Sequence, residues 1–86
     1  MKAYIITEIV DGQQIYQKMI LDKNEALNVA VQIAFENIDA NENPSLLYKD
    51  ISDERKAEIR AELEDDGNMI ADDYVLYLKE LDTDNV

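Results

Sequence analysis

The stretch Asp22-Lys23-Asn24-Glu25-Ala26-Leu27-Asn28-Val29-Ala30-Val31-Gln32-Ile33-Ala34-Phe35-Glu36-Asn37-Ile38 decides the fold. On a wheel of 100° per residue it gathers Glu25, Asn28, Gln32 and Glu36 on one narrow arc. Apolar or alanine side chains fill roughly 240° of the circumference. Such a helix must be covered on more than one side, and so it belongs in a core. Asp22 reads as its N-cap, with Glu25 in a capping-box position. Leu27, Val31, Phe35 and Ile38 form one ridge, and Val29 and Ile33 a second. Between the ridges Ala26, Ala30 and Ala34 leave a groove shallow enough for close approach to a sheet.

Upstream, residues 2–10 and 14–21 are two β-rich runs around Asp11-Gly12, a hairpin signal. A two-residue Asp-Gly loop competes here with a four-residue loop over residues 11–14. The longer loop is preferred because it sets Val10 against Ile15, Thr7 against Lys18, Ile6 against Met19 and Ile5 against Ile20. In either register Tyr4, Ile6, Val10, Ile15, Met19 and Leu21 share one face. Ile5, Ile9, Tyr16 and Ile20 share the other.

Downstream, residues 39–45 are dense in turn formers, and Pro44 disfavours helical geometry at Asn43. Leu46, Leu47 and Tyr48 are expected to pin this connection onto the core. A second, surface helix over residues 52–65 starts at Ser52 or Asp50 and offers only Ile59, Leu63, Ala57 and Ala61 for burial. Gly67 suits the left-handed position after its last turn. Residues 74–81 alternate as a third strand, and residues 82–86 read as a frayed tail. The expected fold is therefore one α+β domain in the order ββααβ, a three-stranded antiparallel sheet on a central apolar helix with a second, acidic helix.

Eighty-six residues make one domain that buries somewhat more than ~60% of its unfolded surface, which leaves no room for a deep cleft. The net charge is −12, and its distribution is uneven. Residues 1–49 carry seven acidic and four basic side chains, whereas residues 50–86 carry thirteen and four. This field opposes nucleic acid and anionic membrane and favours a basic partner, at some cost in self-repulsion. Moderate salt is accordingly expected to raise the melting temperature, and a flat or falling curve would exclude concentrated repulsion. The absence of cysteine fits a reducing cytoplasm. Glu8 interrupts the N-terminal apolar run before a signal peptide would form.

Catalysis has little to build on. The chain has no histidine and no cysteine, which removes the commonest general base, the thiolate nucleophile and every Ser-His pair. Ser45 and Ser52 stand where loops and caps expect serine. The pairs Asp65/Asp66 and Asp72/Asp73 are adjacent in turns and not held at catalytic spacing. Spacing over residues 39–50 resembles an EF-hand calcium loop, with Asp39, Asn41, Asn43, Ser45 and Asp50 at the ligand positions. It departs from that pattern at Pro44, where the sharp turn requires glycine, at Leu47, and at the short final Asp50. The reading is an ordinary turn, with no metal and no cofactor.

What remains is the acidic surface. Glu54, Glu58, Glu62, Glu64, Asp65, Asp66, Asp72 and Asp73 are the candidate partner-binding residues, with Tyr74 and Tyr77 as aromatic anchors beside them. Asp65 and Asp66 lie at the unfavourable end of a helix dipole, a local cost that hints at use. The expected function is a non-enzymatic inhibitor or regulatory protein that mimics nucleic acid and engages a basic, nucleic-acid-handling protein. In overall composition the chain is similar to small acidic phage inhibitors of restriction or CRISPR nucleases and to nuclease immunity proteins. The alternative is a structural, self-associating module, a homodimer through Ile5, Ile9, Tyr16 and Ile20.

Overall fold

A computed structural model describes residues 1–82. It is a small α+β domain with a four-stranded antiparallel sheet in the order β2-β1-β4-β3. The strands are β1 (Lys2–Val10), β2 (Gln13–Ile20), β3 (Asn68–Ala71) and β4 (Tyr74–Asp82). The helices are α1 (Lys23–Ala34), a short α2 (Ala40–Glu42) and α3 (Asp53–Asp66). The sheet thus has one strand more than expected. β3 has only four residues, too few for alternation to stand out beside Asp72-Asp73, yet its partners Met69↔Leu76 and Ala71↔Tyr74 continue the core face. β4 is a strand as expected and extends through Asp82. Of the expected tail, residues 83–86 lie outside the described residues.

α1 follows its sequence closely. The Asp22 carboxylate accepts from the Asn24 and Glu25 amides at 2.8 and 3.4 Å. Ala26, Leu27, Ala30, Val31, Ala34 and Phe35 are buried, while Val29 and Ile33 are half-buried against the same core. The helix does not end at Ile38. It widens into a π-helical turn over Phe35–Asp39 and continues as α2, stopping at Asn43, which has φ −136°. Pro44 sets that end, because the residue before proline is pushed out of the helical region.

Of Leu46, Leu47 and Tyr48 only Tyr48 pins the connection, joined by Ile51 on the core. The Tyr48 ring lies 5.7 Å from that of Phe35, and Lys56 Nζ stands 5.0 Å above it. Leu46 and Leu47 are exposed. α3 is capped by Ser52 Oγ, which accepts from the Arg55 amide at 3.1 Å, and is closed by Gly67 at φ 72°. It buries Ile59 and Leu63, but Ala57 and Ala61 stay exposed. The inward arc spans two residues because only one side of α3 meets α1 and the sheet.

The hairpin corrects the expected pairing. Its loop is the two-residue Asp11-Gly12 turn, with φ 51° and 79° as a type I′ turn requires, so that Val10 pairs with Gln13. A bulge then shifts the register between Glu8↔Tyr16 and Ile9↔Gln14, leaving Ile15 as the extra residue. A one-residue shift exchanges the two faces of a strand. Tyr4 therefore stands opposite Ile20, and Ile5 opposite Met19. Tyr16 and Ile20 turn towards the helices, where Ile20 is buried, and Met19 turns away and is 60% exposed. The set Ile5, Ile9, Tyr16 and Ile20 consequently does not share a face.

Both long helices lie on one side of the sheet, on Tyr4, Ile6, Ile20, Met69, Tyr74 and Leu76. The other side carries Ile5 and Met19, Thr7 and Gln17, Ile9 and Val75, and Tyr77, Ile70 and Leu81, and among the described residues no helix lies over them.

Candidate functional site

α3 carries seven acidic and three basic residues, and each of the three cations is engaged by a group outside α3. Arg55 grips Asp39 with two hydrogen bonds of 2.8 Å, from Nε and Nη2, and reaches Glu58 at 3.2 Å. The widened turn at Phe35–Asp39 presents that carboxylate to α3. Arg60 binds Glu64 at 3.1 Å and Asn24 at 2.8 Å, which ties the C-terminal half of α3 to the start of α1. Lys56 is spent on the Tyr48 ring.

Glu54, Glu62, Asp65 and Asp66 remain exposed and, among the described residues, their side chains enter no hydrogen bond or ion pair. Glu54, Glu58 and Glu62 recur every four residues, about 6 Å apart along the helix axis. With Asp65 they form an acidic ridge on the outer side of α3, and Asp66, seven residues on from Ile59, lies beyond its end towards the sheet. Because the Arg55 guanidinium holds Asp39 below the usual carboxylate range, Asp39 is charged as well, but its charge is neutralised inside the fold.

The other candidates lie elsewhere. Asp72 and Asp73 make the β3–β4 turn at the far end of β3, where the Asp11 amide donates to the Asp73 carbonyl at 3.1 Å. They form a second acidic patch with Asp11, separate from Asp65 and Asp66 by the length of β3. Tyr74 is not an exposed anchor. It points inward and is 9% exposed, and its buried hydroxyl makes no hydrogen bond of ordinary geometry. Burial, and then the neighbouring Glu8 charge, pushes that phenol up. Burial likewise raises Glu8. Tyr77 is exposed, but on the bare side of the sheet, away from the α3 ridge.

The segment whose spacing resembles a calcium loop is not arranged as one. Asp39 is helical with both oxygens on Arg55, and Ser45 Oγ donates to Asn43 Oδ1 at 2.7 Å. Among the described residues no three carboxylates are grouped so as to hold a metal ion, and no helix is long and apolar enough to cross a membrane.

Sequence reasoning missed the bare sheet face as it is built. Its outward positions hold Ile5, Ile9, Met19, Ile70, Val75, Tyr77 and Leu81, from all four strands. A shallow depression of about 590 Å³ lies at its edge beside the start of β3, bounded by Ile5, Thr7, Gln17, Tyr77 and Lys79 and also by Asp66, Asn68 and Glu80. The period-two pattern of β4 was the available signal, but the shifted face of β2 was not readable without the bulge. No protein-family model, curated relative or solved structure matches this chain.

Proposed function

We propose that the chain is a non-enzymatic inhibitor or regulatory binding protein whose α3 ridge occupies the basic groove of a nucleic-acid-handling protein. The observation that carries this reading is the engagement of Arg55, Lys56 and Arg60 by Asp39, Tyr48 and Asn24, with Glu58 and Glu64 as partners on α3 itself, which leaves Glu54, Glu62, Asp65 and Asp66 exposed and unneutralised on this helix. A ridge of carboxylates at regular intervals on a rigid helix offers a basic groove what a phosphate backbone offers it. It also steers encounter over distances of the order of the Debye length, about 10 Å at 0.1 M salt. Two of these carboxylates, Asp65 and Asp66, stand at the helix C-terminus against the dipole, a placement that costs a few tenths of a kcal/mol each and adds nothing to the fold. Basic nucleases of the restriction and CRISPR kind are the first partners to screen.

The test is capture of a partner from lysate at low and high salt, followed by kinetics with the purified partner. Association is expected to be fast and to fall steeply with salt. Replacing Glu62, Asp65 and Asp66 together by lysine should preserve the circular dichroism spectrum and lower the association rate by about tenfold or more at low salt. Nucleic acid prebound to the partner should block capture. An unchanged rate in the folded triple variant would remove the ridge from the interface.

A further inference from the structure

We infer that the bare face of the sheet is the contact surface for a second copy of this chain, giving a face-to-face β-sandwich dimer. The inference is independent of the α3 ridge. Its first support is the distribution of charge. Twenty of 86 residues are acidic, yet none occupies an outward position on β1, β2, β3 or β4 among the described residues. Glu8, Glu80 and Asp82 all fall on inward positions, and Asp11, Asp72 and Asp73 sit in turns. Two molecules of charge −12 repel each other in most orientations. The orientation that brings these two faces together sets no carboxylate against another within the sheet.

The second support is chemistry. Met19 and Ile70 are 60% and 65% exposed and Tyr77 and Leu81 are 41% and 37% exposed, with Ile5 and Val75 half-covered between them. One cation, Lys79, interrupts this surface. It stands on β4 just past the end of β3, and the depression beside it is also bounded by Asp66 and Glu80. Its stem can lie on the apolar face while its ammonium leaves over the open edge. A basic partner finds no carboxylate among the outward strand positions, only Asp66 and Glu80 at the margin, and a polyanion finds a single cation. A second copy finds a surface of its own kind, as a two-fold contact requires.

The third support is size. Strands of nine, eight, four and nine residues give a footprint of about 480 Å² at 3.3 Å per residue and 4.8 Å between strands. Two faces bring together about 1,000 Å², the lower bound for a specific interface, before side-chain relief adds to it. Sheets pack in this way about 10 Å apart with strands near −30°. The central strands β1 and β4 place Tyr77, opposite Thr7, near the middle of the contact.

Sedimentation equilibrium of the full chain, from micromolar to near-millimolar and at low and 0.5 M salt, tests the inference. The expected result is a monomer–dimer equilibrium that salt strengthens, since screening relieves the repulsion between copies. Salt acts in the opposite sense on ridge-mediated binding, so the two readings fail separately. Tyr77→Glu should weaken dimerisation at least tenfold with an unchanged circular dichroism spectrum. If that variant does not fold, Met19→Glu, at an exposed position of the edge strand, should give the same weakening. Glu58→Lys should leave the dimer intact. A monomer at every concentration and salt, or a dimer indifferent to the folded sheet-face variants, would overturn the inference and assign the face to a different partner or to none.

Discussion

Replacing Phe35 by alanine is expected to lower stability by about 3–5 kcal/mol. Phe35 is 1% exposed and opens the widened turn that continues α1. It packs on Tyr48, which in turn lies under Lys56, so one ring joins α1, the connection and α3. An 86-residue domain has a total stability of roughly 4–13 kcal/mol. The variant should therefore sit near its unfolding midpoint in dilute buffer at the low end of that range. Urea denaturation followed by circular dichroism reads the effect. A loss below about 1 kcal/mol would mean that this junction closes over the cavity and does not anchor the connection.

Removing Arg55 tests the second joint between α1 and α3. The pair with Asp39 is bidentate, but Arg55 is one-third exposed, so Arg55→Ala should cost about 1–2 kcal/mol at neutral pH. That is less than the 3–5 kcal/mol of a fully buried pair. The sign of its pH dependence follows from Asp39, whose carboxyl Arg55 holds below the ordinary 3.8. The pair's contribution is complete above that ordinary value and is lost as pH falls through the lowered one. The gap between wild type and Arg55→Ala should be constant from neutral pH to about pH 5 and should close in strong acid. Glu8 works in the opposite sense. Its carboxyl is raised by burial, so its contribution is present below 4.5 and is lost as pH rises through the raised value. Taking the difference between wild type and variant cancels Glu8. A gap that persists unchanged in strong acid would show that Arg55 acts through packing of its stem.

Helical features were the legible part of this molecule. The Asp22 and Ser52 caps, the Gly67 stop and the buried ridge from Ala26 to Phe35 stand as the residues predict. The reason is range. A helix satisfies its backbone within four residues, and its buried side follows from a fixed period that the chain carries in itself. The acidic ridge of α3 was legible for the same reason. That its cations are engaged from outside α3 was not, because Asp39 and Asn24 come to Arg55 and Arg60 from 16 and 36 residues away.

The sheet was decided by pairing. Which side of β2 meets the helices depends on one extra residue, Ile15, and neither unbulged register reveals it. β1 pairs along its whole length with β4, between residues 2–10 and 74–82, and only that long-range pairing places Tyr74 inside and Tyr77 outside. β3 is a strand because β4 offers it an edge. The sequence by itself determined the helices, their caps and the concentration of negative charge. The tertiary structure alone decided the faces of the sheet, the use of the α3 cations and the outward strand positions, free of carboxylates, that no helix covers among the described residues. Strand faces alternate with a period of two, so a single residue of register, set by distant partners, reverses them.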